Sequence, residues 1–153
     1  MTSTTHKARR RARELVLQGL YQRQLSGNAD DAIRLQLVET EGADEADAEF
    51  LAELWRGVTR EYETVVALLE PHAARATAGL SPIERAILAI GAWELVHRPD
   101  IPYRVVINEA VELAKEYGGT DGHRFVNGVL DKLAAQVREV EIAARTREAR
   151  PQR

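Results

Sequence analysis

The fold of this chain depends most on residues 81–97, which read SPIERAILAIGAWELVH. Ser81 and Glu84 have the spacing of a capping box, and Pro82 occupies the first helical position, so a helix should begin here. Beyond this start, apolar residues occupy most sides of the helix. A helix of this kind is stable only when other elements surround it. We therefore predict a central helix, ended by His97-Arg98-Pro99-Asp100, inside a helical protein.

The sequence on both sides of this helix also has helical periodicity. Apolar residues recur three and four positions apart, and the alternation typical of strands is absent. The pattern predicts an all-α fold of about seven helices in two small helical bundles. The other helices are expected at about 5–26, at 30–41, from 47 onward with a break near Pro71, from 102 to 117 and from 121 to 140.

A chain of 153 residues is expected to form a single domain. We predict an N-terminal sub-bundle over about 5–78, a C-terminal sub-bundle over about 79–140 and a polar tail over 141–153 that frays or is disordered. Trp55 and Trp93 lie among apolar residues and should be core.

The composition excludes several kinds of chemistry. There is no cysteine, so disulfides, thiolate catalysis and zinc–cysteine sites are ruled out, and a reducing cytoplasm suits the chain. The histidines share neither a helix face nor a ligand spacing, so we predict no metal and no cofactor. No stretch approaches the ~18 apolar residues of a membrane span. No acid–base pair stands out either.

Charge is unevenly distributed along a chain whose net charge is -3. The first thirteen residues hold five cations and no acid. Helix starts disfavour cations by roughly 0.3–1 kcal/mol each, so this cluster works against local stability. Its most plausible use is to meet a polyanion, of which nucleic acid is the commonest.

The opposite charge dominates between Asn28 and Leu54, where nine acids stand against Arg34 alone. Two interpretations remain open for this acidic flank. It is either a solvated surface or a docking surface for a basic partner.

Two aromatic residues fall outside the apolar stripes of their helices. Tyr21 follows Arg10 by eleven residues, which puts them about 20° apart on a helical wheel, on the same side as Arg13. Phe125 lies about 100° from the stripe of Val126 and follows a polar, glycine-rich turn. Both rings could stack on unpaired bases. Ordinary packing at the edge of the bundle is the alternative for each.

Four segments carry a resemblance to a known family, namely 9–14, 20–21, 107–115 and 125–132. In order and spacing they resemble the transcription antitermination factor NusB family, over about Lys7 to Val137. The resemblance implies a protein that is not an enzyme. It would bind the single-stranded boxA element of nascent ribosomal RNA together with NusE, a small-subunit ribosomal protein. Other Nus factors and RNA polymerase would be indirect partners, and RNA polymerase would read through terminators. Some relatives form homodimers.

The resemblance also implies site residues. The family's RNA surface combines the arginine-rich N-terminus with the turn before the last helix. The implied RNA-binding positions are Arg9, Arg10, Arg13, Tyr21, Lys115, Tyr117, Asp121, His123 and Phe125. Asp121 would accept hydrogen bonds from bases or else only cap the helix. The start of the central helix would face NusE, with Glu84 as the main candidate.

Two alternatives of other classes stay open. One is a helical adaptor that binds only proteins, with its arginines as solvated charge. The other is a NusB-like accessory domain of an RNA methyltransferase. Binding to a boxA oligonucleotide separates the first alternative from RNA recognition.

Overall fold

The structure is a computed structural model that describes residues 3–73 and 80–149. Within these residues the fold is all-α, as predicted, with eight α-helices and two 3-10 turns where about seven helices were expected. The helices are α1 Ser3–Ser26, α2 Asp30–Glu39, α3 Ala48–Arg60, α4 Tyr62–Leu69, α5 Pro82–His97, α6 Tyr103–Tyr117, α7 Gly122–Val137 and α8 Glu139–Ala149. The 3-10 turns are Ala43–Glu45 and Glu70–His72.

Helix α5 is the central element, which confirms the prediction. The hydroxyl of Ser81 accepts a hydrogen bond of 3.2 Å from the backbone N–H of Glu84 and so caps the helix start. Every residue from Ala86 to Leu95 is buried. Helices α1, α3, α4, α6 and α7 all pack on α5. Since its neighbours come from both predicted sub-bundles, α5 joins the two halves through one apolar core.

The two tryptophans are core residues, as predicted. Trp93 lies against α3 at Gly57, where a Cβ atom would come within 2.1 Å of the indole ring, so only glycine allows this approach. Trp55 is 2% exposed and donates from Nε1 to the carbonyl of Asp30 at 3.1 Å. Trp93 of α5 therefore packs against α3, and Trp55 of α3 is hydrogen-bonded to α2.

The break in the third predicted helix lies earlier than expected. It falls at Glu61, between α3 and α4, rather than at Pro71. Pro71 instead lies in the 3-10 turn that ends α4, which is consistent with its missing N–H. The alanine-rich stretch that was also expected to break the helix lies largely outside the described residues.

The prediction of a disordered tail from residue 141 is wrong as far as Ala149, because α8 continues the fold there. Helix α7 ends at Val137, and the next residue, Arg138, is buried. Its guanidinium donates to the carbonyls of Leu95, Arg98 and Ile101 at 2.7, 2.8 and 3.0 Å. Glu141 accepts from Arg138 and, at 3.0 Å, from the backbone N–H of Tyr103 at the start of α6. These bonds dock α8 on the loop between α5 and α6.

None of the helices in the described parts of the chain is both long and apolar enough to cross a membrane.

Candidate nucleic-acid interface

Arg13 lies inside the protein, contrary to the prediction that it belongs to an exposed basic face. It forms a two-pronged ion pair with Glu94 of α5, with distances of 2.9 and 2.7 Å. The two side chains are 3% and 1% exposed. A buried charge is tolerated only when it is paired and hydrogen-bonded, and Glu94 meets both needs. Arg13 is therefore a core residue in this conformation.

Two further cations of the N-terminal cluster are also engaged by the protein. Arg9 is half-buried, with its guanidinium carbon 5.1 Å from the centre of the Phe50 ring. Arg11 donates to the carbonyls of Glu41 and Gly42 at 2.8 and 3.3 Å. Arg9 thus stabilises the packing of α1 against α3, and Arg11 stabilises its packing against the segment between α2 and α3.

Arg10 remains at the surface but is held in a fixed orientation. Its Nε and Nη2 donate to the carboxylate of Glu109 on α6 at 2.9 and 3.1 Å. The Arg10 side chain is 52% exposed, whereas that of Glu109 is 9% exposed. The hydrogen bond and the charge of Glu109 raise the pKa of Arg10, so the guanidinium stays charged. Lys7, one turn earlier, is exposed.

A second contact joins the same two helices. The hydroxyl of Tyr117, at the end of α6, donates to Glu14 of α1 at 3.0 Å. The pKa of Tyr117 is raised to about 12, mainly by partial burial and then by this hydrogen bond and the negative charge of Glu14. Arg10 meets Glu109 and Glu14 meets Tyr117, so the contacts advance along both helices toward the α6–α7 turn.

A small cleft of about 200 Å³ opens beside this contact. Tyr21 and Tyr117 line it and are 39% and 42% exposed. The remaining walls come from Arg11, Glu14, Leu17, Gln18 and Ile83. The predicted position of Tyr21 away from the core is confirmed, although Leu17, one turn before it, is buried.

The turn between α6 and α7 has an unusual backbone at Asp121. This residue adopts a left-handed conformation with φ of 63°, and its side chain makes no capping hydrogen bond. The expected capping role of the Asp121 carboxylate is therefore wrong. Its nearest cation is Arg124, with Nε 3.8 Å from Oδ1, and the Asp121 side chain is 68% exposed. Left-handed backbone at a non-glycine residue costs of order 1–3 kcal/mol and is found preferentially at functional sites.

Glu84, near the start of α5, packs against this turn. It is 8% exposed, and a Cβ atom at Gly122 would lie 2.7 Å from its carboxylate oxygen. A side chain at position 122 would therefore displace the carboxylate of Glu84 from this turn. The carboxylate of Glu84 faces the turn and offers little surface to a partner.

The other predicted positions lie around the turn. Lys115 is exposed, and its Nζ lies 3.5 Å from Oε1 of Glu112. His123 is half-buried, and Phe125 is half-buried and packs against the apolar core. The structure thus brings Arg10, Tyr21 and Tyr117 to one side along α1 and α6, and it leaves Arg13 out. The sequence did not identify Glu14 as the partner of Tyr117 or Glu94 as the partner of Arg13, although Glu14 lies in one of the resembling segments.

No group of three or more histidine or acidic side chains is arranged to hold a metal ion within residues 3–73 and 80–149.

These features define a small all-α protein built around one buried helix, with a basic first helix tied to a glycine-rich turn. The model of the NusB family matches residues 10–135, and the chain belongs to this family. It is 55% identical over 138 residues to the transcription antitermination protein NusB of Cupriavidus pinatubonensis, covering 90% of this chain and 83% of that one. The corresponding protein of Ralstonia nicotianae is 56% identical over 138 residues, covering 90% and 89%.

Solved structures agree with this assignment. NusB of T. maritima is 29% identical, with a TM-score of 0.72 and coverage of 83% of this chain and 90% of that one. A structure of the antitermination factors NusB and NusE in complex with double-stranded RNA is 26% identical, with a TM-score of 0.76 and coverage of 83% and 96%.

Proposed function

We propose that this protein is a non-enzymatic antitermination factor that acts on nascent transcripts in the cytoplasm. It binds boxA RNA as a complex with NusE and helps RNA polymerase read through terminators. Its membership of the NusB family and the names of its relatives support this proposal. So does the structural neighbour in which NusB and NusE hold RNA. Indirect contact with other Nus factors and a homodimer of the free protein belong to the same proposal.

One observation carries the RNA-binding part. Two side-chain contacts between residues far apart in the sequence, Arg10–Glu109 and Tyr117–Glu14, link α1 to α6. They bring the exposed part of the basic cluster to the same edge as the α6–α7 turn. A strand of RNA could follow this edge from Lys7 toward Asp121.

The residues on this edge would divide the work. Lys7, Arg10 and Lys115 would contact phosphates, which gives affinity but little sequence information. Tyr21 and Tyr117 would stack on bases, at roughly 1–3 kcal/mol each.

The turn would supply the selectivity. The exposed carboxylate of Asp121 would accept hydrogen bonds from base amino groups, and His123 and Phe125 would add contacts beside it. Arg9 would hold α1 in position through its contact with the Phe50 ring. Glu84 would hold the turn in position, while the surface around the start of α5 would face NusE.

We favour single-stranded RNA although the solved relative holds a duplex. Paired bases are stacked in the helix and offer no free face to Tyr21 or Tyr117, whereas unpaired bases do.

The test is a fluorescence-anisotropy titration of a labelled single-stranded boxA oligonucleotide at several salt concentrations. With about three phosphates engaged, log K should fall with log salt at a slope near -2, from roughly -0.7 per phosphate. Arg10→Ala should weaken binding to boxA and to an unrelated strand alike. Tyr21→Ala should likewise weaken both, because stacking is sequence-tolerant, whereas Phe125→Ala, in the turn, should weaken boxA more.

The matched control is Arg34→Ala, which removes an exposed arginine from α2, outside this edge. It should leave the titration unchanged. A slope near zero, or an equal loss from Arg34→Ala and Arg10→Ala, would contradict the proposed surface.

Coupling to NusE is tested in the same assay. If NusE raises the affinity for RNA, RNA must raise the affinity for NusE by the same factor. Identical RNA titrations with and without NusE would argue against a joint complex.

A further inference from the structure

Helix α2 carries an apolar stripe on its outer face. Ile33 and Leu37 are buried and attach the helix to the core. Leu35 and Val38 are 60% and 55% exposed, and Ala32 is also exposed. On a helical wheel Leu35 lies about 180° from the middle of the buried pair. The outer stripe is therefore not part of the packing of α2.

Acidic side chains bracket this stripe. Asp31 and Glu39 lie one helical turn before and after Leu35 and are exposed. They share its face, because residues four apart are neighbours on a helix. Glu41, Asp44 and Glu45 follow in the next turn and are also exposed. The outer face thus combines an apolar centre with an acidic rim of these five side chains, which is interrupted at one edge by the exposed Arg34 beside Val38.

Contacts within the protein fix the position of α2. The carbonyl of Asp30 accepts from the indole of Trp55 at 3.1 Å, and its carboxylate accepts from Arg23 at 2.7 Å. Helix α2 packs mainly on α1, α3 and the first 3-10 turn. The RNA edge described above is built instead from α1, α6 and the α6–α7 turn.

We propose that the outer face of α2 binds a basic, amphipathic segment of a partner protein. Nucleic acid and anionic membranes are repelled by the acidic rim. A second copy of the chain, paired on this face by a twofold axis, would bring like charges together. A segment with an apolar residue between cations fits instead, and these cations must reach Asp31 and Glu39, each about 6 Å along the helix from Leu35. This inference does not depend on the proposed RNA site.

The test uses two labelled synthetic helical peptides with the same leucine positions, one with lysine and one with glutamate at the polar positions. Affinities for the full chain are measured by fluorescence anisotropy, and the bound face is mapped by amide chemical shifts. The lysine peptide should bind at least about tenfold more tightly, with shifts centred on α2. Leu35→Ser should weaken it by about tenfold, since it removes one apolar anchor.

Charge reversal provides the second arm. The double variant Asp31→Lys/Glu39→Lys should reverse the preference, so that the glutamate peptide binds better. Val140→Ser is the matched control, because Val140 is 82% exposed but lies on α8. Circular dichroism checks that each variant is folded.

Three results would overturn the inference: equal affinity for both peptides, equal effects of Leu35→Ser and Val140→Ser, or shifts that lie outside α2. The boxA titration should be unaffected by Leu35→Ser, so the two proposals can fail separately.

Discussion

Replacing Arg13 by alanine should destabilise the protein strongly, because Arg13 is a core residue. The substitution leaves the carboxylate of Glu94, 1% exposed, without the two charge-assisted hydrogen bonds of 2.9 and 2.7 Å. Breaking a buried pair by removing one partner costs about 3–5 kcal/mol. For a domain whose total stability is about 5–15 kcal/mol, this is a large fraction.

The assay is urea unfolding followed by far-UV circular dichroism, with the free energy of unfolding extrapolated to water. The double variant Arg13→Met/Glu94→Leu should recover most of the loss, since well-packed apolar residues often replace a buried pair at little cost. Lys115→Ala is the exposed comparison, since Lys115 and its partner Glu112 are 52% and 51% exposed, and it should cost less than about 1 kcal/mol.

The reasoning would be refuted by a loss below about 1 kcal/mol for Arg13→Ala, the range of an exposed ion pair. A fully stable Arg13→Ala protein with weakened RNA binding would be equally damaging. It would show that Arg13 contacts RNA, as the sequence alone suggests.

Two further predictions concern α8 and α6. Glu141→Ala should lower the free energy of unfolding in urea by more than about 1 kcal/mol, because the N–H of Tyr103 loses its capping carboxylate and the buried Arg138 loses a charged partner. Glu139→Ala, on an exposed neighbour, should not. Tyr117 should titrate at about 12 in a spectrophotometric titration, above the usual tyrosine value of about 10. The raised folded-state pKa means that its contribution to stability is complete below pH ~10 and is lost as the pH rises toward 12. Tyr117→Phe should abolish this part of the pH dependence, and an unchanged decline would locate its cause elsewhere.

The central helix could be predicted from sequence because its signals are local. A cap, a proline at the first position and an all-round apolar surface are visible in residues 81–97 alone. The bend at Glu61 has no such signal, since neither glycine nor proline marks it. Its position is settled by how α3 and α4 pack on their neighbours.

The site was less predictable because its geometry depends on distant partners. A helical wheel places Arg10 and Arg13 on the same side of α1, and nothing local shows that Arg13 meets Glu94 of α5. Arg138 likewise reads as a polar residue on the last predicted helix until its four backbone acceptors are known. Tyr21 was easier to predict, since a ring that breaks an apolar stripe is visible without the fold. The same argument did less well for Phe125, which packs against the apolar core.

The Arg10–Glu109 fork also bears on how an anion would be recognised. A guanidinium carries five N–H groups, and the fork uses the Nε–H and one Nη2–H, so three donors are left for a ligand. These donors are already oriented, which lowers the entropy lost when a phosphate arrives. Because Glu109 offsets much of the charge, such a contact would displace fewer counterions than a lone arginine would. Recognition at this position would depend more on the orientation of the hydrogen-bond donors than on long-range electrostatic attraction.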